Sequence, residues 1–163
     1  MDPFQLAVDG LTVNLEMLKG TIADFSDADI YVRPCPGANH TAWQLGHIAG
    51  SENWMLNEID PKAAIKLPDG WEKKFSKENS SKDDPSLFGA KQQILDQLIK
   101  VRGASIAWVK TLKPADLDKP APQKLQRMCP TIGHVLGLLP NHFSMHVGQM
   151  QVIRRKLGKP IIF

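Results

Sequence analysis

Residues 140–157 read PNHFSMHVGQMQVIRRKL and carry two histidines, His142 and His146, four residues apart inside an apolar helical pattern. Alternate steps of three and four through them give Ile132, Val135, Leu139, His142, His146, Gln149, Ile153 and Lys156 with Leu157 beside it. That is the seam of a helix facing the core of a bundle. Three polar side chains thus stand where the pattern asks for Leu or Ile. Burying a polar group without a partner costs roughly 1–3 kcal/mol, so a fold keeps such residues when they are satisfied or used. Positions i and i+4 of a helix differ by ~6 Å of rise and ~40° of rotation, so both imidazoles can turn a nitrogen onto one cation. Zinc accepts such nitrogens at ~2.0–2.1 Å. Two groove histidines hydrogen-bonded to neighbours satisfy the same pattern, and the spacing alone does not choose between the readings.

Outward from this stretch, the last helix is expected to begin near Ile132, to kink or restart at Pro140, which lacks an N–H, and to end at Gly158 and Pro160. The apolar tail Ile161-Ile162-Phe163 is expected to dock on the bundle or on a second subunit. Three further long helices are predicted: Pro3 to Phe25, Thr41 to Ile59, and Pro85 to Leu112, the last with Leu87, Ile94, Leu98, Val101, Ser105, Trp108 and Leu112 on its seam. Asn39 or Thr41 is expected to cap the second. That helix is apolar on two sides, with Leu45, Ile48, Ala49, Met55, Leu56 and Ile59 on one and Trp43 and Trp54 nearly opposite. His47 falls on the tryptophan side, where periodicity favours packing between two indoles over ligation, and Gly50 beside it leaves room for a small molecule or a close helix approach.

Residues 60–84 are polar and broken by Pro61, Pro68 and Gly70, with one short helix expected near Trp71 to Phe75. A connection of this length frees the helices it joins from antiparallel packing. The loop at 113–131 echoes the loop at 26–41: Ala28-Asp29-Ile30 matches Ala115-Asp116-Leu117, prolines follow, and a threonine opens a helix at 41 and at 131. A duplication of a helix-loop-helix half, related by a pseudo-twofold, accounts for this, as does chance similarity of proline-rich loops.

At 163 residues, 42% hydrophobic and 23% charged, the chain suits one globular domain and excludes disorder and a membrane span. No basic, apolar leader opens it, and Cys35 and Cys129 are too few for a disulfide framework, so a cytoplasmic protein with reduced thiols is expected. A net charge of +3 is too small to imply nucleic acid, and the run Arg154-Arg155-Lys156 reads as a solvated helix end. All five histidines fall in residues 40–47 and 134–146.

Two stretches, YVRPCPGANHTAWQLGHIAGSENW (31–54) and NHFSMHVGQMQVIRRKLGKP (141–160), together resemble the DinB/YfiT-like superfamily of helical-bundle metalloenzymes. The likeness lies in the Arg-Pro loop before a Trp-x-x-x-His helix, and in the His-x-x-x-His pair followed by Gly-Gln and a basic helix end. It covers nearly the whole chain and implies an all-α four-helix bundle with long connecting loops. It also implies a divalent-metal site formed by His47, His142 and His146, overriding the doubt over His47. Zinc or nickel is the expected ion, and three neutral imidazoles leave a position open, as catalytic sites do. The resemblance further implies a small-molecule substrate, a homodimer and, as the leading chemistry, S-transfer using a low-molecular-weight thiol. A metal-hydroxide hydrolase and a non-catalytic metal- or ligand-binding module are the alternatives.

Around the ion, Gln149, Ser51, Trp43 and Trp54, with Trp71 beside them, are expected to form the substrate pocket. Glu52 is a candidate base or a buried partner for a histidine N–H, the structural role being the simpler reading. His40 and His134, near helix starts, are left outside the site.

Overall fold

The structure, a computed structural model, describes residues 2–162. Phe163, part of the expected docking tail, lies outside them. Among these residues, six α-helices follow in order: α1 Pro3–Ile22, α2 Thr41–Ile59, α3 Trp71–Lys74, α4 Pro85–Phe88, α5 Lys91–Val109 and α6 Ile132–Lys156. The four long ones form the bundle, and among the described residues there are no strands.

Side-chain pairings set the direction of each helix. Asn14 meets Pro140, Thr21 meets Gln151 and Asp24 meets Arg154, so α1 and α6 advance together and are parallel. Gln44 meets His146 while Met55 and Leu138 share a cavity, so α2 runs against α6. Lys91, opening α5, places its ammonium among the carbonyls of Ile22, Ala23 and Phe25 at the end of α1, so α1 and α5 are antiparallel. It follows that α2 and α5 are parallel, and α2 packs most broadly on α5, as α1 does on α6. The long connection between α2 and α5, residues 60–90, makes this pairing possible. These directions are those that a twofold exchanging α1 with α5 and α2 with α6 would require. The echoed loops share a cap: Asp29 Oδ2 accepts the Ser26 N–H at 2.8 Å, and Asp116 Oδ2 accepts the Lys113 N–H at 2.7 Å.

The core has two apolar clusters. One holds Leu18, Leu45, Ile48, Ala49, Phe75, Leu98, Val101, Phe143 and Met150; the other holds Leu11, Met55, Leu56, Trp108, Val109, Val135 and Leu139. Each long helix carries a polar residue at the changeover: Asn14 on α1, Glu52 on α2, Arg102 and Ser105 on α5, and His142 on α6. Arg102 Nη2 lies 2.9 Å from Glu52 Oε2 with both side chains buried, and the Ser105 hydroxyl donates to Glu52 Oε1. The Arg102 guanidinium also stacks over the Phe143 ring, 4.1 Å from its centroid. Burial pushes the Glu52 carboxyl above its ordinary range, opposed by the Arg102 charge and the Ser105 hydroxyl. Glu52 is therefore the structural partner the sequence allowed, engaged with α5 and not with a histidine.

Several expectations need correction. The predicted third helix is broken: Gly89 takes φ +92° and Ala90 is extended, leaving α4 as a single turn before α5. The cap of α2 is neither Asn39 nor Thr41. It is His40, whose Nδ1 accepts the Trp43 N–H at 3.1 Å while Nε2 bonds the Lys82 carbonyl oxygen at 2.9 Å. Pro140 lies inside α6 and does not restart it; the Asn14 amide donates to the Pro140 carbonyl at 2.9 Å. Arg154 is buried, not solvated, and its Nη2 donates to Asp24 Oδ2 at 3.0 Å, whereas Arg155 and Lys156 are exposed. Ile161 and Ile162 are exposed and do not dock on the bundle. Among the described residues, no helix is long and apolar enough to cross a membrane.

Candidate metal centre

The antiparallel packing of α2 on α6 brings His47 onto the pair His142 and His146. One nitrogen from each lies within 4.8 Å of the others. Ring centroids are 5.4 Å apart for His47 and His142, 5.3 Å for His47 and His146, and 4.8 Å for His142 and His146, all edge to face. His146 is buried and the other two are partly so.

Each ring is held by neighbours. Gln44 Nε2 donates to the Asn39 carbonyl at 2.8 Å, which turns its Oε1 towards His146 Nδ1 at 3.0 Å. An amide oxygen only accepts, so His146 carries its proton on Nδ1 and presents the Nε2 lone pair to the site. His142 Nε2 lies 3.3 Å from that atom. Two ligands at ~2.0–2.1 Å from a tetrahedral ion stand about 3.3–3.4 Å apart, so this pair already has the separation such an ion requires. Trp43 stacks flat on His47, 4.6 Å between centroids and 9° between planes, and its own Nε1 donates to the Ser76 carbonyl at 3.0 Å. Ser51 Oγ stands 3.5 Å from His47 Nδ1. The donor set is three imidazoles converging from two helices, with one tautomer fixed by a second residue, and it fits a divalent cation.

Burial is the first cause that lowers all three basicities. It brings His47 to about 4 and His146 to about 3, and the neighbouring histidine charges add to it. His142 is lowered by burial and by the Arg102 charge. Neutral imidazoles are the form a metal needs.

The second element of the site is the connection after α2. A Cβ on Gly46 would stand 2.1 Å from the Phe75 ring, so this aromatic reaches the α2 backbone only because position 46 is glycine. Trp71 Nε1 donates to the Gly46 carbonyl at 3.0 Å and lies 3.5 Å from where a Cβ on Gly50 would be. Gly50 thus serves a close approach. Beneath this aromatic cover, a cavity of about 250 Å³ is lined by His47, Ser51, Trp54, Trp71 and Phe75, with Glu72 at its wall. A second cavity, of about 180 Å³, is lined by His47, His142, Ser51, Trp54, Met55, Met128 and Leu138.

Of the residues predicted for the pocket, Ser51 and Trp54 line both cavities, Trp71 lines the first, and Trp43 supports His47 from behind. Gln149 is exposed and lines neither cavity. The helix turns past it, and Met150, a step of four from His146, takes the buried position. Gln44, Met55, Phe75, Glu72, Met128 and Leu138 were missed. Gln44 had a signal: it lies one turn before Ile48 on the apolar face of α2, where a polar side chain requires a partner. His134 is exposed, and its Nδ1 meets Thr131 Oγ1 at 2.9 Å, away from the centre.

The model of the DinB superfamily matches residues 11–150, which contain the whole constellation. The chain belongs to the DinB superfamily. Two solved structures share its fold. A conserved protein from Enterococcus faecalis is 20% identical, with a TM-score of 0.74 over 98% of this chain and 99% of that one. YfiT from Bacillus subtilis is 17% identical, with a TM-score of 0.66 over 96% of this chain and 89% of its own, and is described as "a probable metal-dependent hydrolase with an unusual four-helix bundle topology". No curated protein sequence matches the chain.

Two predictions follow from the DinB centre. Gln44→Leu, which removes the acceptor on His146, is expected to weaken zinc binding about 10–100-fold in a chelator-competition titration, whereas Gln149→Ala leaves it at the wild-type value. In chelator-treated protein, the folded state holds His47 and His146 neutral while the unfolded chain protonates them below pH ~6.5, so stability falls with pH between that value and the folded values of about 4 and 3. The slope is about 1.4 kcal/mol per pH unit for each histidine. Urea unfolding at pH 7 and pH 5 should show a smaller loss for His146→Gln than for wild type.

Proposed function

We infer that this DinB protein is a metal-dependent enzyme that transfers a group between a low-molecular-weight thiol and a small organic molecule. The observation that carries the reading is the pair of cavities that share His47, Ser51 and Trp54 in their linings. A hydrolase needs room for one organic molecule and a water; a transferase needs room for two organic molecules whose reacting atoms meet at one centre.

A bound divalent cation lowers the pKa of a thiol or a water and polarises a substrate oxygen. The chain supplies the rest. Gln44 and Trp43 fix the ligand rings, Trp54 forms a wall common to both cavities, and Ser51 places a hydroxyl beside His47. Glu72, exposed at the wall of the larger cavity, is the carboxylate that would accept a proton or hold a cationic group on the thiol. Glu52 is committed to Arg102 and serves as no base here. A thiol suits this equipment, because its unperturbed pKa of ~8.5 is far below that of water, so less activation is required.

Hydrolysis is the second reading, favoured by the description of YfiT and by the open coordination position that three histidines leave. The test supplies zinc-loaded protein with a panel of electrophiles and esters, with and without low-molecular-weight thiols. The transferase reading predicts substrate loss that requires thiol and metal and disappears in His47→Ala. Turnover of esters at the same rate without thiol would replace it with hydrolysis. Inertness towards the whole panel would favour a non-catalytic binding module.

A further inference from the structure

The smaller cavity has a chemistry of its own. Apart from the two histidines and Ser51 at its inner end, it is walled by Trp54, Met55, Met128 and Leu138, side chains with no charge to offer. Met55 belongs to the buried core and fixes the floor, while Leu138, half-buried on α6, stands one turn before His142. Met128 comes from the loop before α6 and is 61% exposed, although it is a large apolar side chain. The next residue, Cys129, is buried and anchors the loop, its N–H donating to the Leu125 carbonyl at 2.8 Å. An apolar side chain held half in water at the rim of an apolar cavity gains contact area when an apolar ligand fills that cavity. The volume of about 180 Å³ is close to the ~150 Å³ of a dry apolar cavity that takes one benzene.

We propose that this cavity is the specificity pocket of the centre. It takes an apolar substituent of the substrate, one phenyl ring or an unbranched chain of comparable size, adjacent to the reacting atom, and Met128 and Leu138 set its size limit. The proposal rests on the three-histidine metal reading. It assigns the apolar group to this cavity and leaves the larger one, with Glu72, to the more polar reactant.

Hydroxamates test it, because the hydroxamate group chelates a metal irrespective of its substituent. Acetohydroxamate and benzohydroxamate are titrated calorimetrically into zinc-loaded wild type, Met128→Trp and Leu138→Phe. Met128→Trp fills the pocket from an exposed loop, where folding is not at stake. In wild type, the phenyl compound is expected to bind at least about tenfold tighter, given the roughly fourfold gain available per buried methylene. In both variants that ratio is expected to fall towards one. Equal affinities in wild type, or an undiminished ratio in both variants, would overturn the pocket assignment while leaving the metal centre standing. Failure of acetohydroxamate to bind the zinc-loaded wild type would overturn the metal reading, and the proposal with it.

Discussion

A polar layer crosses the middle of this bundle, and the placement of everything else depends on it. Glu52 and Arg102 form an ion pair with no access to water, Ser105 adds a hydroxyl, and Asn14 reaches across to the Pro140 carbonyl. Two charges are costly to bury, but removing one partner alone strands the other at a cost of about 3–5 kcal/mol. The layer therefore tolerates only one register. A slip of α2 along α5 would separate Glu52 from Arg102, and a slip of α1 along α6 would separate Asn14 from Pro140. The apolar clusters above and below are less particular, because hydrophobic contact is not directional.

The three-histidine site lies at the edge of that layer. His142 sits at the changeover on α6, next to Phe143, whose ring takes the Arg102 guanidinium on its face. Once the layer fixes α2 and α6, the three imidazoles have little freedom left: Trp43 covers His47, and Gln44 holds the proton of His146. Without a cation, the His146 Nε2 lone pair can be satisfied by a proton on His142 Nε2, 3.3 Å away. His47, His142 and His146 would hold a cation in place of that proton, with nitrogens already neutral at physiological pH. Preorganisation of this kind comes from ordinary packing and hydrogen bonding, and it needs no strained backbone.

Much of this was legible in the chain. The His142–His146 spacing on an apolar seam marked α6, the prolines and glycines marked the connections, and the family resemblance placed His47. What was not legible has physical causes. A seam read in steps of three and four cannot tell position 149 from 150, and the structure buries Met150 and leaves Gln149 in water. The dual role of His40, capping α2 with one nitrogen and holding the Lys82 carbonyl with the other, requires a partner 42 residues away. Arg154 reads as a helix-end charge until Asp24, just past the end of α1, comes into reach. Met128 joins the site through the fold of a loop that carries no periodic signal, and Leu138, half-buried on α6, stands beside the buried seam rather than on it. The misreadings of His40, Arg154 and Met128 involve long-range partners, whereas the phase at 149 and 150 and the break at Gly89 are local.

The central claim is that His47, His142 and His146 bind one divalent ion held ready by Gln44 and Trp43. It is tested most directly by metal content, measured by mass spectrometry on untagged protein purified without chelators, for wild type, His47→Ala and His146→Ala. About one equivalent in wild type, lost from both variants while their helical content persists, is the predicted result. No metal in wild type even after reconstitution, or metal retained by both variants, would contradict it.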